Sequence, residues 1–555
     1  MDRDELRSLI AARRISQTST ITDPLGLSLE LLRPDSLGRA LQALDRGAIA
    51  ALQALASGDP EAGVSGPGLA ASAIEPAVVA RLRAVGLVGI DPGTGDRAGD
   101  DAGDDDRAVA LPEVAEALRA ALGESDDAAS ENAPVPAPDS SGAVDLSSWY
   151  APALASVRRA AALVDALAER PAQLGRRGRA TVVSARELAA ATRGDAETTS
   201  RLLAVVQDAG LAFTAAMPSR RGGEVLLLGS APGAPAVREW LDLPLHARWV
   251  RLAAAAASTV DAPLRGALAL SDGDLARAAE TVLPLQYPLL PQASLAAAQA
   301  FAATAEELGL TVGGRLSPPA QALLDGDGAS ARALAEEGFP PIATGVYLQP
   351  DLSLIVPGPL PPADERSLAE IGEAEQWGVA VTLRLTPASL RRALRHGGST
   401  ERIRELLERL SLTGIPQPLD YLLRDLQRTH GTGVAAPAGP PVFGRADSPD
   451  APDAPDEAPL AEDGGSVGSD DLDALAELVY EAARSAPGSG ELSRRLELAI
   501  RDRTAVRVTA AAAGQERSFT LLPVAITSGR LRATDEQAGV QRTLPLSAIV
   551  AVEAA

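Results

Sequence analysis

A chain of 555 residues that is 46% hydrophobic but only 3% aromatic has to build its cores from alanine, leucine and valine. Small aliphatic side chains of that kind pack most readily between helices, so the composition points to a mainly helical protein. At this length a single core is excluded, and three to five domains are expected. No stretch approaches twenty uninterrupted apolar residues, which argues against a membrane span. The start, MDRDELRSLIAARR, lacks a basic region leading into an apolar one, so no secretory signal is expected and a cytoplasmic location is.

The residue types that are missing narrow the chemistry. There is no lysine and no cysteine, and histidine occurs only at His246, His396 and His430. A phosphate-binding loop needs its lysine, a Schiff-base enzyme needs an amine, and thiol chemistry needs a thiolate. Cys/His zinc sites cannot be assembled. The one nucleophile-elbow pattern, Gly464 to Gly468 around Ser466, lies in an acidic low-complexity stretch with no strand before it, and reads as chance. The expectation is a non-enzyme with no cofactor and no metal.

A formal charge of −23 argues at first against nucleic acid as a partner. Its distribution reverses that. Residues 91–148 hold fifteen acidic side chains against Arg97, Arg107 and Arg119, and residues 436–473 hold ten against Arg445. These two segments carry almost all of the net charge. They are rich in Ala, Pro, Gly, Asp and Ser, and read as largely disordered linkers, with a short helix at Leu111–Leu122 as the exception.

Between the linkers the pattern is modular. Residues 1–90 read as a helical, winged-helix-like unit, with leucine spacing at 37, 41, 44, 52 and 55 and a proline-started helix from Pro76. Residues 149–233 read as a winged helix: a helix from Pro152 to about Glu169, a capping box at Ser184 and Glu187, and a second helix from Ala196 to Ala209. Two strands then flank an arginine-tipped turn. The second helix would enter a major groove, with the wing on the backbone. Eleven arginines face seven acids in residues 152–230, and Arg176, Arg177, Arg179, Arg193, Arg201, Arg220 and Arg221 are the candidate phosphate contacts. Pure scaffolding is the alternative, since arginine is the only strong cation this chain uses. Residues 234–340 read as helical, with Trp240 and Trp249 anchoring one module on the next and His246 as a packing residue.

From residue 341 to 435 the text is more distinctive. A strand at 346–356 meets the Pro357-Gly-Pro359 turn, a helix runs from Asp364 to about Trp377, and a strand follows at 379–385. Thr386-Pro-Ala-Ser389 starts a helix carrying Arg391, Arg392, Arg395 and His396. Another helix spans 401–412, and Pro416-Gln-Pro418 leads into a last one ending at His430-Gly431. With Gln349-Pro-Asp351, this order resembles the helicase-associated domain shared with the N-terminal region of XPB-type DNA helicases, common in actinobacterial proteins. The resemblance implies contact with distorted DNA and with partner proteins. Unwinding does not carry over, because no ATPase motif accompanies it here. Arg391, Arg392 and Arg395 are the candidate contacts, against the plainer reading of a solvated helix face.

Residues 474–555 open on a helix and continue as short strands. The Leu522-Pro523 step and the ending Arg542 to Ile549 resemble a WYL domain, which implies a small SH3-like β-barrel. Arg530-Leu531 stands where that family's aromatic pair belongs. Arg530 and Arg532 complete the candidate set. The whole reads as a multidomain, mainly α protein with α+β parts. Its expected role is a non-catalytic DNA-binding or helicase-associated accessory in repair or transcription, partnered by DNA and a helicase or a transcription or repair protein. A scaffold that never touches DNA is the alternative.

Overall fold

The computed structural model describes residues 2–13, 15, 21, 23–57, 74–91, 107–123, 144–175, 178–218, 224–231, 233–395, 397–430, 469–485, 495–496, 498–501, 504–512, 515–527, 530–535 and 540–554. They form two compact units. One comprises Met1–Ala133, Tyr287–Leu289 and Asp453–Ala555, and the other Pro134–Gln286 and Leu290–Pro452.

The chain opens with α1 (Arg3–Ala12), α2 (Pro24–Leu31), α3 (Pro34–Gln42), α4 (Arg46–Ser57) and α5 (Pro76–Ala84), then β1 (Val88–Asp91), β2 (Arg107–Ala110) and α6 (Pro112–Leu122). Proline sits in the first turn of α2, α3, α5 and α6, where its missing N–H costs nothing. Leu41, Ile49, Leu52, Leu82, Leu87, Val114 and Leu118 close one core. The strand β2 corrects the sequence reading, because it comes from the segment expected to be a linker. It pairs antiparallel with β1, Val88 opposite Ala110, and it buries Ala108 and Ala110. Helix α6 falls where the sequence placed it. The rest of residues 91–143 lies outside the described residues.

Next come α7 (Tyr150–Glu169), β3 (Ala172–Gln173), α8 (Val182–Ala191), α9 (Ala196–Asp208), β4 (Phe213–Pro218) and β5 (Glu224–Gly229), with the three strands in the order β3-β5-β4. The cap of α8 differs from expectation. Thr181 is the N-cap, its hydroxyl accepting the Ser184 N–H at 3.3 Å, while Ser184 Oγ accepts the Gln173 N–H at 2.9 Å and ties the helix to β3. Glu187 is left exposed.

Helices α10 (Pro235–Asp242), α11 (Leu245–Ser258), α12 (Ala262–Ala269) and α13 (Leu275–Arg277) follow. A π-helical turn at Ala278–Val282 leads to α14 (Leu283–Gln286) and α15 (Gln292–Leu308). A small hairpin, β6 (Thr311–Val312) and β7 (Arg315–Leu316), precedes α16 (Pro318–Leu324) and α17 (Gly328–Gly338). The tryptophans anchor this region as the sequence suggested. Trp240 and Trp249 are fully buried, and Trp249 Nε1 donates to the Leu308 carbonyl at 2.6 Å. Trp149 lies against Trp249 with centroids 4.9 Å apart, Phe339 flanks both, and His246 packs edge-on to Phe339. Gly309 has φ +73°, and a Cβ there would stand 2.4 Å from the Trp149 carbonyl oxygen, so only glycine allows this approach.

The following region holds β8 (Tyr347–Leu348), β9 (Ser353–Val356), α18 (Pro362–Ile371), β10 (Glu373–Gln376), β11 (Val381–Arg384), α19 (Pro387–Arg395), α20 (Thr400–Leu410) and α21 (Gln417–His430). Its sheet runs β10-β11-β9-β8. Two expectations change. The first strand is a hairpin, because Gln349-Pro-Asp351 is a turn: Leu352 takes φ +70° and Asp351 Oδ1 accepts the Ser353 N–H at 3.0 Å. The helix stops at Ile371, and 373–376 pairs with β11 as an added strand. A Cβ at Gly372 would stand 3.0 Å from Leu383 Cβ, so glycine lets the chain turn from helix to sheet there.

Last come α22 (Ser469–Ser485), β12 (Val506–Ala512), β13 (Gln515–Thr527), β14 (Arg530–Asp535), β15 (Val540–Pro545) and β16 (Ile549–Ala554). Helix α22 packs on α1 and α2 through Ala476 and Val479 against Leu6, Ile10, Ile21 and Leu27. Arg3 to Glu477 at 2.6 Å and Arg7 to Asp473 at 2.7 Å flank the contact. The expected strands are present, but the barrel is not closed. The sheet order is β15-β14-β13-β12-β16, with β15 and β16 at opposite edges and unpaired with each other among the described residues. Closure needs those two edges to meet. The long strand β13 does shift register between Pro523 and Ala525, where proline has no N–H for the ladder.

Candidate nucleic-acid interface

The arginines singled out in the sequence fall into four groups. Arg176, Arg177, Arg220 and Arg221 lie outside the described residues. Arg179, Arg193 and Arg201 are engaged with carboxylates. Arg391 and Arg395 are exposed and make no ion pair among the described residues, while Arg392 is half-buried. Arg530 and Arg532 stand on the outer face of β14, with Arg532 donating to Gln541 at 3.4 Å.

Helix α9, which would have to enter a groove, is enclosed. It packs on α7, α8, α11 and α15, and buries Thr199, Leu202, Leu203, Val205 and Val206. Its exposed residues are Glu197 and Asp208, both acidic. Arg201 donates through Nε to Glu307 Oε2 at 3.1 Å and through Nη1 to Glu197 at 2.6 Å, and its Nη2 also meets Glu307. Thr198 adds a bond to the same Glu307 at 3.0 Å. These hydrogen bonds raise the Arg201 pKa and hold the guanidinium against α15. A helix so covered offers a duplex no arginine face. Arg179 reaches Asp208 at 3.8 Å, and Arg193 reaches Glu373 at 3.7 Å.

Helix α19 is built differently. Thr386 and Ser389 cap one another: the Ser389 N–H donates to Thr386 Oγ1 at 3.0 Å and the Thr386 N–H to Ser389 Oγ at 3.1 Å. The Ser389 hydroxyl also donates to the Ile371 carbonyl at 2.6 Å, joining α19 to the end of α18. Ser389, Leu390 and Ala393 are buried, so the helix turns Ala388, Arg391 and Arg395 outward. Both arginines lie in the last two turns, where the helix dipole favours cations. Arg392 approaches Glu373 at 4.0 Å, so Arg193 and Arg392 converge on one carboxylate. His396 lies outside the described residues. Sequence reading missed Arg402, exposed in the first turn of α20 and without an ion pair among the described residues; the neighbouring acids gave no sign of this.

The module carrying α7 and the region carrying α19 are bolted together. Arg158, 7% exposed, donates to the carbonyls of Gly378 at 2.9 Å, Val379 at 3.1 Å and Gly358 at 3.1 Å, and to Glu365 at 3.2 Å. Trp377 Nε1 donates to the Thr192 carbonyl at 3.2 Å, and Arg366 pairs with Asp242 at 2.6 Å. Asp364 and Arg409 form a two-pronged pair between α18 and α20, at 2.5 and 3.1 Å.

Residues 346–440 match a helicase family. That family is described as the helicase conserved C-terminal domain. The match spans β8 to the end of α21, and so includes the free arginines of α19 and α20. A search of curated proteins finds no match for the chain. Among the described residues no helix is long and apolar enough to cross a membrane, and no group of three or more His, Asp or Glu could hold a metal ion.

Proposed function

We propose that this chain is a helicase-associated accessory that contacts DNA without carrying a motor of its own. The observation that carries the reading is the helicase-family match at residues 346–440, on a region whose outer helix presents unpaired arginines. The likeness to the N-terminal region of XPB-type helicases, the winged-helix reading of residues 149–233 and the WYL reading of residues 474–555 belong to the same proposal. With no lysine anywhere in the sequence, the phosphate loop of an ATPase has no residue to supply its ammonium. In this reading the chain positions DNA or a helicase, and the chemistry lies with the partner. Arg391 and Arg395 contact phosphates, and Arg402, exposed on α20, is a further candidate; such contacts are sequence-independent and sensitive to salt.

One observation favours the scaffold reading instead. The enclosure of α9 removes the element through which a winged helix reads a groove. Fluorescence anisotropy of labelled duplex, forked and single-stranded DNA with the intact chain separates the two. Binding that weakens steeply between about 50 and 200 mM salt supports DNA contact. No binding to any of the three at the lower salt moves the protein to the scaffold class.

A further inference from the structure

Arg13, the residue that ends α1, is only 3% exposed. Its Nη2 donates to the carbonyl of Leu31, the last residue of α2. Arg33, two residues further on, is the N-cap of α3, and its side chain makes no capping bond. The Nε and Nη1 of Arg13 are shut off from solvent and have no hydrogen-bond partner. A buried guanidinium ordinarily faces a carboxylate, because an unpaired charge out of water is costly.

The acids nearby are committed elsewhere. Asp2 and Glu5 cap α1, Asp23 caps α2, and Glu30 pairs with Arg33 at 3.3 Å. Asp473 and Glu477 of α22 pair with Arg7 and Arg3. Asp4 and Asp35 stand exposed in the first turns of α1 and α3. Residues 14–22 contain no carboxylate. The charge that acts on Arg13 is a second cation: burial first, then Arg39 of α3, push its pKa down to about 10. Ser36 precedes Arg39 by three residues, so the two share a face of α3, and Ser36 is 3% exposed. Ser8 and Ser28 return their hydroxyls to carbonyls four residues back, both at 2.8 Å. Ser36 stands in the first turn, where its own helix has no such carbonyl to offer, and its buried Oγ has no partner.

We propose that the junction of α1, α2 and α3 binds a small tetrahedral oxyanion of the phosphate or sulfate class, with Arg13 and Ser36 as its floor and Arg39 as its outer clamp. Several oxygens on one ion answer donors that point in different directions, and charge-assisted bonds to a guanidinium are the strong ones. The N-terminal end of α3 favours the same sign of charge. A nucleic-acid strand does not fit, since it cannot follow its phosphate to a side chain so covered. The inference is independent of DNA contact through α19.

The test is isothermal titration of the intact chain with inorganic phosphate in about 150 mM NaCl, where exposed charges are largely screened. One saturable site is expected. Arg13→Met should abolish it, and Ser36→Ala and Arg39→Gln should each weaken it several-fold. Arg391→Ala/Arg395→Ala should leave it unchanged. At matched ionic strength, phosphate should raise the melting temperature of the native chain above its value in chloride, and should not do so for Arg13→Met. No saturable heat with the native chain, an unchanged titration in Arg13→Met, or loss of the site in Arg391→Ala/Arg395→Ala would overturn the proposal. If Arg13→Met alters the circular dichroism, Arg39→Gln at its exposed position takes its place, with weaker binding supporting the site and equal affinity overturning it.

Discussion

The α7–α9 module and helix α19 are both rich in arginine, and among the described residues they differ in how much of it is paired. In the first, Arg158 and Arg201 are turned inward and spent on carbonyls and carboxylates, and Arg179 and Arg193 on single acids, while Arg170 and Arg186 stay exposed without an ion pair among the described residues. In the second, Arg391 and Arg395 are exposed with no ion pair among the described residues. By count the module looked the more basic of the two. Basicity in sequence therefore does not measure the charge a partner can reach; what decides is whether a neighbouring element supplies an acid. Glu307, more than a hundred residues from Arg201, does so for α9.

The largest effect that can break this contrast is on stability. Arg158→Ala removes the guanidinium that Glu365 and three backbone carbonyls, the buried one of Gly358 among them, share, so unfolding of the second unit by urea should become easier by about 3 kcal/mol. A loss under 1 kcal/mol would mean that the inward arginines are dispensable. Arg201→Ala should cost less, about 1–2 kcal/mol, because its pairs are only partly shielded from water.

Asp165 sharpens the contrast from the acidic side. It lies on α7, and burial first, then Glu169 and Glu370, push its pKa to about 6 when folded, against 3.8 for the free group. The folded state therefore holds the proton more tightly than the unfolded one, and the stability this gives is full below about pH 4 and lost as pH rises through 6. Asp165→Asn removes that loss. It should stabilise the protein at pH 7 by on the order of 1 kcal/mol after allowance for solvent screening, with no gain at pH 4. Denaturation at the two pH values checks this, and an equal gain at both contradicts it.

Much of this layout was legible in the sequence. The 3.6-residue pattern gave α7, α9, α20 and α21 close to their observed bounds, and Thr386 to Ser389 marked the start of α19 through a cap that the structure forms. What failed depends on partners distant in sequence. The strand β2 is four residues long and gains its definition only from β1, and Pro350 lies inside what looked like one continuous apolar strand. Helix α22 looked like the start of the last domain, but its apolar face is completed by α1 and α2. The enclosure of α9 was invisible for the same reason, since its outward face is only moderately polar and α15 supplies the cover.

The smallest effect on stability and the largest on binding should fall together on α19. Arg391→Ala/Arg395→Ala should leave urea stability within about 0.5 kcal/mol, since both side chains are exposed and unpaired. The central claim is that the reachable positive charge lies there and not on α9. The slope of log K for duplex DNA against log salt, measured for the native chain, Arg391→Ala/Arg395→Ala and Arg193→Ala/Arg201→Ala, tests it directly. The α19 variant should lose roughly one unit of slope for each phosphate contact removed, and the other variant should keep the native slope. The reverse pattern, with the slope lost on changing Arg193 and Arg201, would contradict it.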